Sequence, residues 1–459
     1  MIRALAGVIL PVLAVWAGLI ATGLRERQEP LLLGLARAFC LAMGLTSIST
    51  FATLMVGGRL NAAFVIVDAA VWTCLAGVSI VAMLRRPSLP LKPRAPLTSA
   101  DIAVRTVFLV VAVCACGVPV FEYLASPHGQ WDAWAIWNQK ARFMYRAGPG
   151  WTDSMAIPWS QPGHPPLVAG TVARLWAYAG GELTAVPAMV AGLFAIAMAG
   201  IVMGTLGLQH LRAWVAGAIL IAPWTFSHLA AAQTADLPLG VFIVASLATL
   251  PRTPREWQQR GWVAVALVLA GVLGSMAAWT KNEGFVYLAA STALVCWSSY
   301  RHGRLADVRW WFVGLVPLLS VIVAFKVFVV PATTDYLVGT AESGTIIARV
   351  LDGARQVRLV ETVATLAFRW GGTLTAGSLL LMLLVAAGLG ALPEGRTARG
   401  YLFVSAVMLA GYSVVYLLTP FDVVWLISTT FDRLTLQVWP VLVLAACTSA
   451  EGVSTTEAA

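Results

Sequence analysis

The chain has 459 residues, 59% of them hydrophobic and only 11% charged, with a formal net charge of +9 and a mean hydropathy of +0.82. This is too apolar for a soluble domain, and apolar runs long enough to cross a hydrocarbon core of roughly 30 Å recur along it. The alternating pattern of a membrane β-barrel is absent, so the expected fold class is all-α, a polytopic bundle of membrane helices.

The N-terminal run MIRALAGVILPVLAVWAGLIATGLRER is too long in its apolar part for a signal peptide and lacks a clean small-residue cleavage site. It reads as a retained first span. A span length of roughly twenty residues gives about thirteen spans in all. They lie near 4–24, 31–57, 62–84, 102–124, 183–207, 211–230, 236–250, 261–280, 284–299, 310–330, 372–392, 401–419 and 433–448, with a shorter apolar stretch near 166–180. A basic, proline-rich linker, RRPSLPLKPRAPLTSAD, separates the first three spans from the rest. The expected division is therefore an N-terminal unit over 1–100 and a core over 101–459. Cys40, Cys74, Cys114, Cys116, Cys296 and Cys447 all fall inside apolar runs and read as small core residues.

Basic residues in short loops orient the chain. One set of loops carries Arg25 and Arg27, Arg85, Arg86, Lys92 and Arg94, Arg212, Arg252, Arg255, Arg260, Arg301, Arg304, Arg309, Arg396 and Arg399; this set is expected to be cytoplasmic. The opposite loops hold little beyond Arg59, Lys281 and Arg433. The positive charge is thus a topology signal and a contact with anionic lipid, not a nucleic-acid footprint. Two long loops, 125–165 and 331–371, and three short turns at 233–236, 281–284 and 420–433 then share the outer face.

The polar residues that topology does not explain gather on that face. QWDAWAIWNQKARFMYRAG (130–148) is amphipathic at helical spacing and predicts an interfacial helix opened by Asp132. Asp132 could be a helix cap or a catalytic acid; Trp134 and Trp137 suit an interfacial aromatic belt; Lys140 and Arg142 cannot both share a face with Asp132. His164, between prolines in QPGHPP, could bind phosphate or metal or simply face water. Asp236 in QTADLPLG carries the signature of a helix cap followed by proline in the first turn. Lys281, Asn282 and Glu283 put both signs of charge into one short turn. Arg433, expected at the start of the last span, runs against the positive-inside trend, and a phosphate partner would explain it. Lys326, inside a span near its outer end, reads as a snorkelling side chain. Neither GxxxxGK[ST], a strand-linked GxGxxG, HExxH nor GxSxG is present, so a transferred group would need a donor activated by something other than a nucleotide. A membrane lipid phosphate is the natural candidate.

Taken in order, WDAWAIWNQKARFMY, GHPPL, TADLPLG, TKNEG and STTFDRLTLQVWP resemble the GT-C superfamily. More narrowly they resemble the bacterial integral-membrane glycosyltransferases related to protein O-mannosyltransferases and to lipid A aminoarabinose transferases. The resemblance covers roughly 102–448 and leaves the first three spans outside the usual core. It implies a GT-C bundle with interfacial helices in the first outer loop. It also implies inverting transfer of a sugar from a polyprenyl phosphate to a glycan, lipid or protein hydroxyl on the periplasmic side of the inner membrane. It implies Asp132 as the general base, with Asp236, Lys281, Glu283 and Arg433 at matching positions around the donor; Lys140 and His164 join them as candidate substrate contacts. Many members carry paired acids in the first loop where this chain has Asp132 followed by Ala133, which leaves a divalent metal a possibility only. Two competing readings stand beside this one: a transporter or flippase of lipid-linked sugar, and a polysaccharide ligase or polymerase using a diphosphate donor.

Overall fold

The structure is a computed structural model that describes residues 1–22, 31–86, 96–331, 343–371 and 396–448. The expected span at 372–392 and most of the basic linker lie outside the described residues. Among the described residues, every regular element is helical.

Three long helices come first, α1 (Ile2–Ala21), α2 (Leu31–Met55) and α3 (Ala62–Leu84). Asn61 opens α3 by accepting the Phe64 N–H, and a Thr98–Asp101 capping box opens α4 (Ser99–Ala125); each satisfies amides that a first turn leaves unpaired. The chain continues through α5 (Asn138–Arg146), α6 (Leu167–Ala179) and α7 (Ala185–Leu206). Next, α8 (Leu211–Ile221) and α9 (Trp224–Ala231) are halves of one apolar run bent by 66°. Pro223 sits at the break, where its missing N–H and rigid ring interrupt the helix. The remaining helices are α10 (Asp236–Thr249), α11 (Pro254–Gln258), α12 (Arg260–Thr280), α13 (Glu283–Arg301), α14 (Val308–Phe328), α15 (Ser343–Leu351), α16 (Gly353–Arg369), α17 (Arg396–Leu418) and α18 (Val423–Thr448).

Eight described helices are long and apolar enough to cross a membrane, or nine if α8 and α9 form one bent span. The sequence reading of about thirteen counted further apolar runs by length alone. Of these, α10 is only 14 residues long, while α13 and α18 are long enough but carry polar side chains along their length. The last helix also begins earlier than expected. Asp422 accepts the Trp425 N–H at 2.8 Å and starts α18 at Val423, so Arg433 lies within a helix and not at the entrance of one.

Every residue of α10 is buried, and it packs against α7, α12 and α18. Small residues set these crossings, as they do where apolar helices approach closely. A Cβ at Gly240 would lie 3.3 Å from the Gln437 Cα of α18. A Cβ at Gly314 of α14 would lie 2.0 Å from the Val268 carbonyl oxygen of α12.

The packing runs across the division expected at residue 100. In α2, Arg37 donates to the Ala248 carbonyl of α10 at 2.7 Å, Ser47 accepts from Trp279 at 3.2 Å, and Phe51 meets Trp151, Trp279 and Phe325 edge-on. A buried ion pair ties α3 to α6: Arg174 donates to Asp68 from Nε at 3.1 Å and to the Gly7 carbonyl of α1 at 2.7 Å, while Tyr178 donates to Asp68 at 2.6 Å.

Candidate functional site

One end of the bundle collects the polar chemistry. It is built from the C-terminal ends of α4, α12, α14 and α17 and the N-terminal parts of α10, α13 and α18. The opposite ends of the same helices carry Arg252, Arg260, Arg301, Arg309 and Arg399. The 19 residues of α13, rising about 1.5 Å each, separate the two ends by roughly the thickness of a hydrocarbon core.

At the polar end an alternating series of charges links turns far apart in sequence. Arg433 reaches Asp132 with Nη2 at 2.6 Å and Asp236 with Nε at 2.9 Å. One planar guanidinium therefore holds the two carboxylates within about 8 Å of each other. Asp236 also accepts from Lys281 at 2.8 Å and from Gln437 at 2.7 Å, and the amide oxygen of Gln437 accepts from Tyr412 at 2.6 Å. Lys281 is shared: its Nζ lies 2.7 Å from Glu283 Oε1. The series reads Asp132, Arg433, Asp236, Lys281, Glu283.

The cap reading of Asp236 is not what the geometry realises. The N-cap position of α10 is Ala235, and Asp236 lies in the first turn; its carboxylate, fully buried, serves as counter-ion to two cations. Asp132 makes no capping bond. It precedes a π-helical turn, Ala133–Trp137, that runs into α5, so the expected interfacial helix begins as a wide turn and aims Asp132 at Arg433. Gly129, at φ +76°, seats this loop: a Cβ there would meet the Ala232 carbonyl at 2.9 Å, and a side chain would also strain the left-handed backbone. Gly284 does the same for the TKNEG turn, where a Cβ would lie 2.4 Å from the Ala277 carbonyl of α12. Both glycines place the charged residues beside them.

A cavity of about 380 Å³ opens against this series. Its polar wall includes His164, Asp236, Lys281, Glu283 and Arg433, and its apolar wall includes Val286, Val415, Leu426 and Leu434. Two enclosed atoms of the lining, His164 Nδ1 and Glu283 Oε2, have no hydrogen-bond partner among the described residues. Enclosed polar atoms are nearly always paired with protein or water, so these two can accept or donate a hydrogen bond into the cavity. Burial, together with the nearby Lys281, Lys140 and Lys326 charges, holds the His164 imidazole well below its ordinary pKa, so it stands neutral. For Lys281, burial favours the neutral amine, but the Asp236 and Glu283 carboxylates outweigh it and raise its pKa.

Of the residues singled out from sequence, Asp236, Lys281, Glu283, His164 and Arg433 meet at the cavity, while Asp132 joins only through Arg433 and does not line it. Lys140, expected as a substrate contact, is fully buried and donates to the Gln161 carbonyl at 2.8 Å and the His164 carbonyl at 3.3 Å. It holds the backbone that carries His164 and is absent from the cavity wall. Burial, helped by Lys326, pushes its pKa down to about 7. Two residues, Tyr412 and Gln437, went unassigned, and a third was given another role. Lys326, read as snorkelling, donates to Asn282 Oδ1 at 2.7 Å and to the Gly163 carbonyl; Tyr412 and Gln437 complete the Asp236 cage. A glutamine inside the apolar run LTLQVWP was the available signal, since polar groups within membrane helices are costly.

Among the described residues, no three His, Cys, Asp or Glu side chains converge in a way that could hold a metal ion. Asp132 and Asp236 are instead met by cations, so the donor set does not fit a divalent metal. Comparison of the chain with protein-family models, with curated proteins and with solved structures gives no match.

Proposed function

We propose that the protein is an inverting glycosyltransferase that moves a sugar from a polyprenyl phosphate to a hydroxyl acceptor at the outer surface of the plasma membrane. The observation that carries this reading is the two-sided cavity. A polar wall on which Lys281 and Arg433 stand beside Asp236 and Glu283 adjoins apolar side chains of Val415, Leu426 and Leu434, which suits a phosphate that carries a lipid tail. Attack by a hydroxyl on the anomeric carbon needs a carboxylate to take its proton, and the departing lipid phosphate develops charge that fixed cations stabilise. Both effects are stronger at low dielectric. Arginines at the opposite ends of the same helices favour an outward-facing cavity by the positive-inside trend. The resemblance of TADLPLG, TKNEG and STTFDRLTLQVWP to the GT-C superfamily points the same way.

The bent pair α8–α9 is the feature that favours a transporter, since broken helices serve ion and substrate sites near the midplane. The charged residues of the cavity wall lie instead at one end of the bundle. Purified protein incubated with a radiolabelled polyprenyl-phosphate sugar and a panel of glycan, lipid and peptide acceptors should yield labelled product and polyprenyl phosphate. Sugar-lipid movement across proteoliposomes with no covalent product would overturn the reading in favour of a transporter. Product formed only from a diphosphate donor would overturn it in favour of a ligase.

A further inference from the structure

We infer that Glu283, not Asp132, is the proton acceptor of the transfer reaction, and that it controls whether Lys281 is available to the leaving phosphate. The inference rests on the glycosyltransferase reading and assigns roles within that site. Glu283 lines the cavity, whereas Asp132 does not. Its two oxygens are unlike. Oε1 holds Lys281 at 2.7 Å, and Oε2 is enclosed with no partner among the described residues. An enclosed carboxylate oxygen lacking a donor is a vacancy for an O–H group, and an acceptor hydroxyl supplies one. His164 Nδ1, also unpartnered and on the same wall, can meet a second hydroxyl.

The charge count gives the second half of the argument. Within the lining, Lys281 is divided between Asp236 and Glu283, and Arg433 between Asp132 and Asp236. Each cation therefore meets a phosphate with part of its charge already matched by carboxylates. The reaction itself loosens one of these pairs. The acceptor O–H bond breaks, with its proton passing to Glu283 Oε2. The acceptor oxygen forms the new bond to the anomeric carbon. The bond from that carbon to the phosphate oxygen breaks, and its electron pair leaves on the polyprenyl phosphate. Nothing is oxidised or reduced. Once Glu283 is neutral it holds Lys281 weakly, so an Nζ–H can turn to the phosphate just as negative charge arrives there. Asp132 acts as a positioning residue, through Arg433.

Glu283→Gln, Glu283→Asp and Asp132→Asn test this, each compared with the unaltered protein for monodispersity and thermal unfolding. Glu283→Gln should lower kcat by roughly 10² to 10⁴, the range for loss of a general base, with KM for donor unchanged or lower; Glu283→Asp should restore part of the rate. Asp132→Asn should cost less than about tenfold in kcat, with its main effect on donor KM, as expected for loss of ground-state binding. A readout independent of turnover is the affinity for polyprenyl phosphate alone. Glu283→Gln leaves Lys281 less committed and should bind it at least several-fold more tightly, while Glu283→Asp should not. Unchanged or weaker binding in Glu283→Gln overturns the coupling. A near-normal kcat in Glu283→Gln beside a large loss in Asp132→Asn returns the proton to Asp132. If the unaltered protein transfers no sugar at all, the functional reading fails, and the binding comparison still decides whether Glu283 governs Lys281.

Discussion

Among the described residues, two of the charge clusters enclosed in this bundle are built differently. Between α3 and α6, Asp68, Arg174 and Tyr178 satisfy one another and the Gly7 carbonyl, and none of the three side chains has an enclosed atom without a partner. The cluster is complete and borders no described cavity wall. At the polar end, the series from Asp132 to Glu283 stops at an unpartnered oxygen on a cavity wall. Completeness marks a structural tie. An open end against a cavity is what the proposed function requires of a ligand site.

The sharpest way to break this contrast is to remove the centre of each cluster. Asp236→Ala strips the shared counter-ion from Lys281 and Arg433 and an acceptor from Gln437. Lys281 keeps Glu283 and Arg433 keeps Asp132, so the loss should lie near the roughly 3–5 kcal/mol typical of breaking a buried pair, and transfer activity should vanish; both are read from thermal unfolding and product assays. Asp68→Ala leaves Arg174 uncompensated and should cost about 3–5 kcal/mol, yet activity per folded molecule should stay near that of the unaltered protein. Comparable kcat losses in both variants would erase the distinction.

Lys140 offers a smaller test, specific in pH. Its pKa is lowered from 10.5 to about 7 in the fold. Between those values the unfolded chain holds a proton that the folded one has released, so this group's contribution makes stability rise with pH, by up to about 1.4 kcal/mol per pH unit. Below pH 7 the cost of burying the charge is fully present. Lys140→Met should flatten the rise in thermal stability between pH 7 and 10.5; a slope unchanged by the substitution would mean the amine is not dehydrated. The smallest effect belongs to Gly240→Ala, whose Cβ would sit 3.1 Å from Met198 Cε and 3.3 Å from Gln437 Cα. Overpacking of about 1–3 kcal/mol is expected, and displacement of Gln437 should raise donor KM more than it lowers kcat.

Much of this was legible in the sequence because each layer had a local signal. Apolar runs gave the helices, the mixed-charge turn KNEG gave Lys281 and Glu283, and Asp236 stood out as a helix-start aspartate before proline. What escaped depends on contacts between residues distant in the chain. Nothing near Asp236 reveals that its carboxylate faces α18 rather than its own first turn, because the caging donors lie at positions 281, 433 and 437. Lys140 misled because an amphipathic helix shows which residues are polar, not whether a loop will fold over them. Lys326 misled in the same way: a lysine near a helix end resembles a snorkelling residue whether it meets water or the Asn282 amide. The early start of α18 was hidden because Asp422 and Arg433 looked like parts of one polar loop.

The most direct measurement is photocrosslinking of purified protein with a diazirine-bearing polyprenyl phosphate, followed by peptide mass spectrometry. Adducts should fall on the cavity wall, on the α17 segment near Val415 and the α18 segment between Leu426 and Leu434, and unlabelled polyprenyl phosphate should suppress them. Adducts confined to other faces of the bundle, or indifferent to that competitor, would contradict the account.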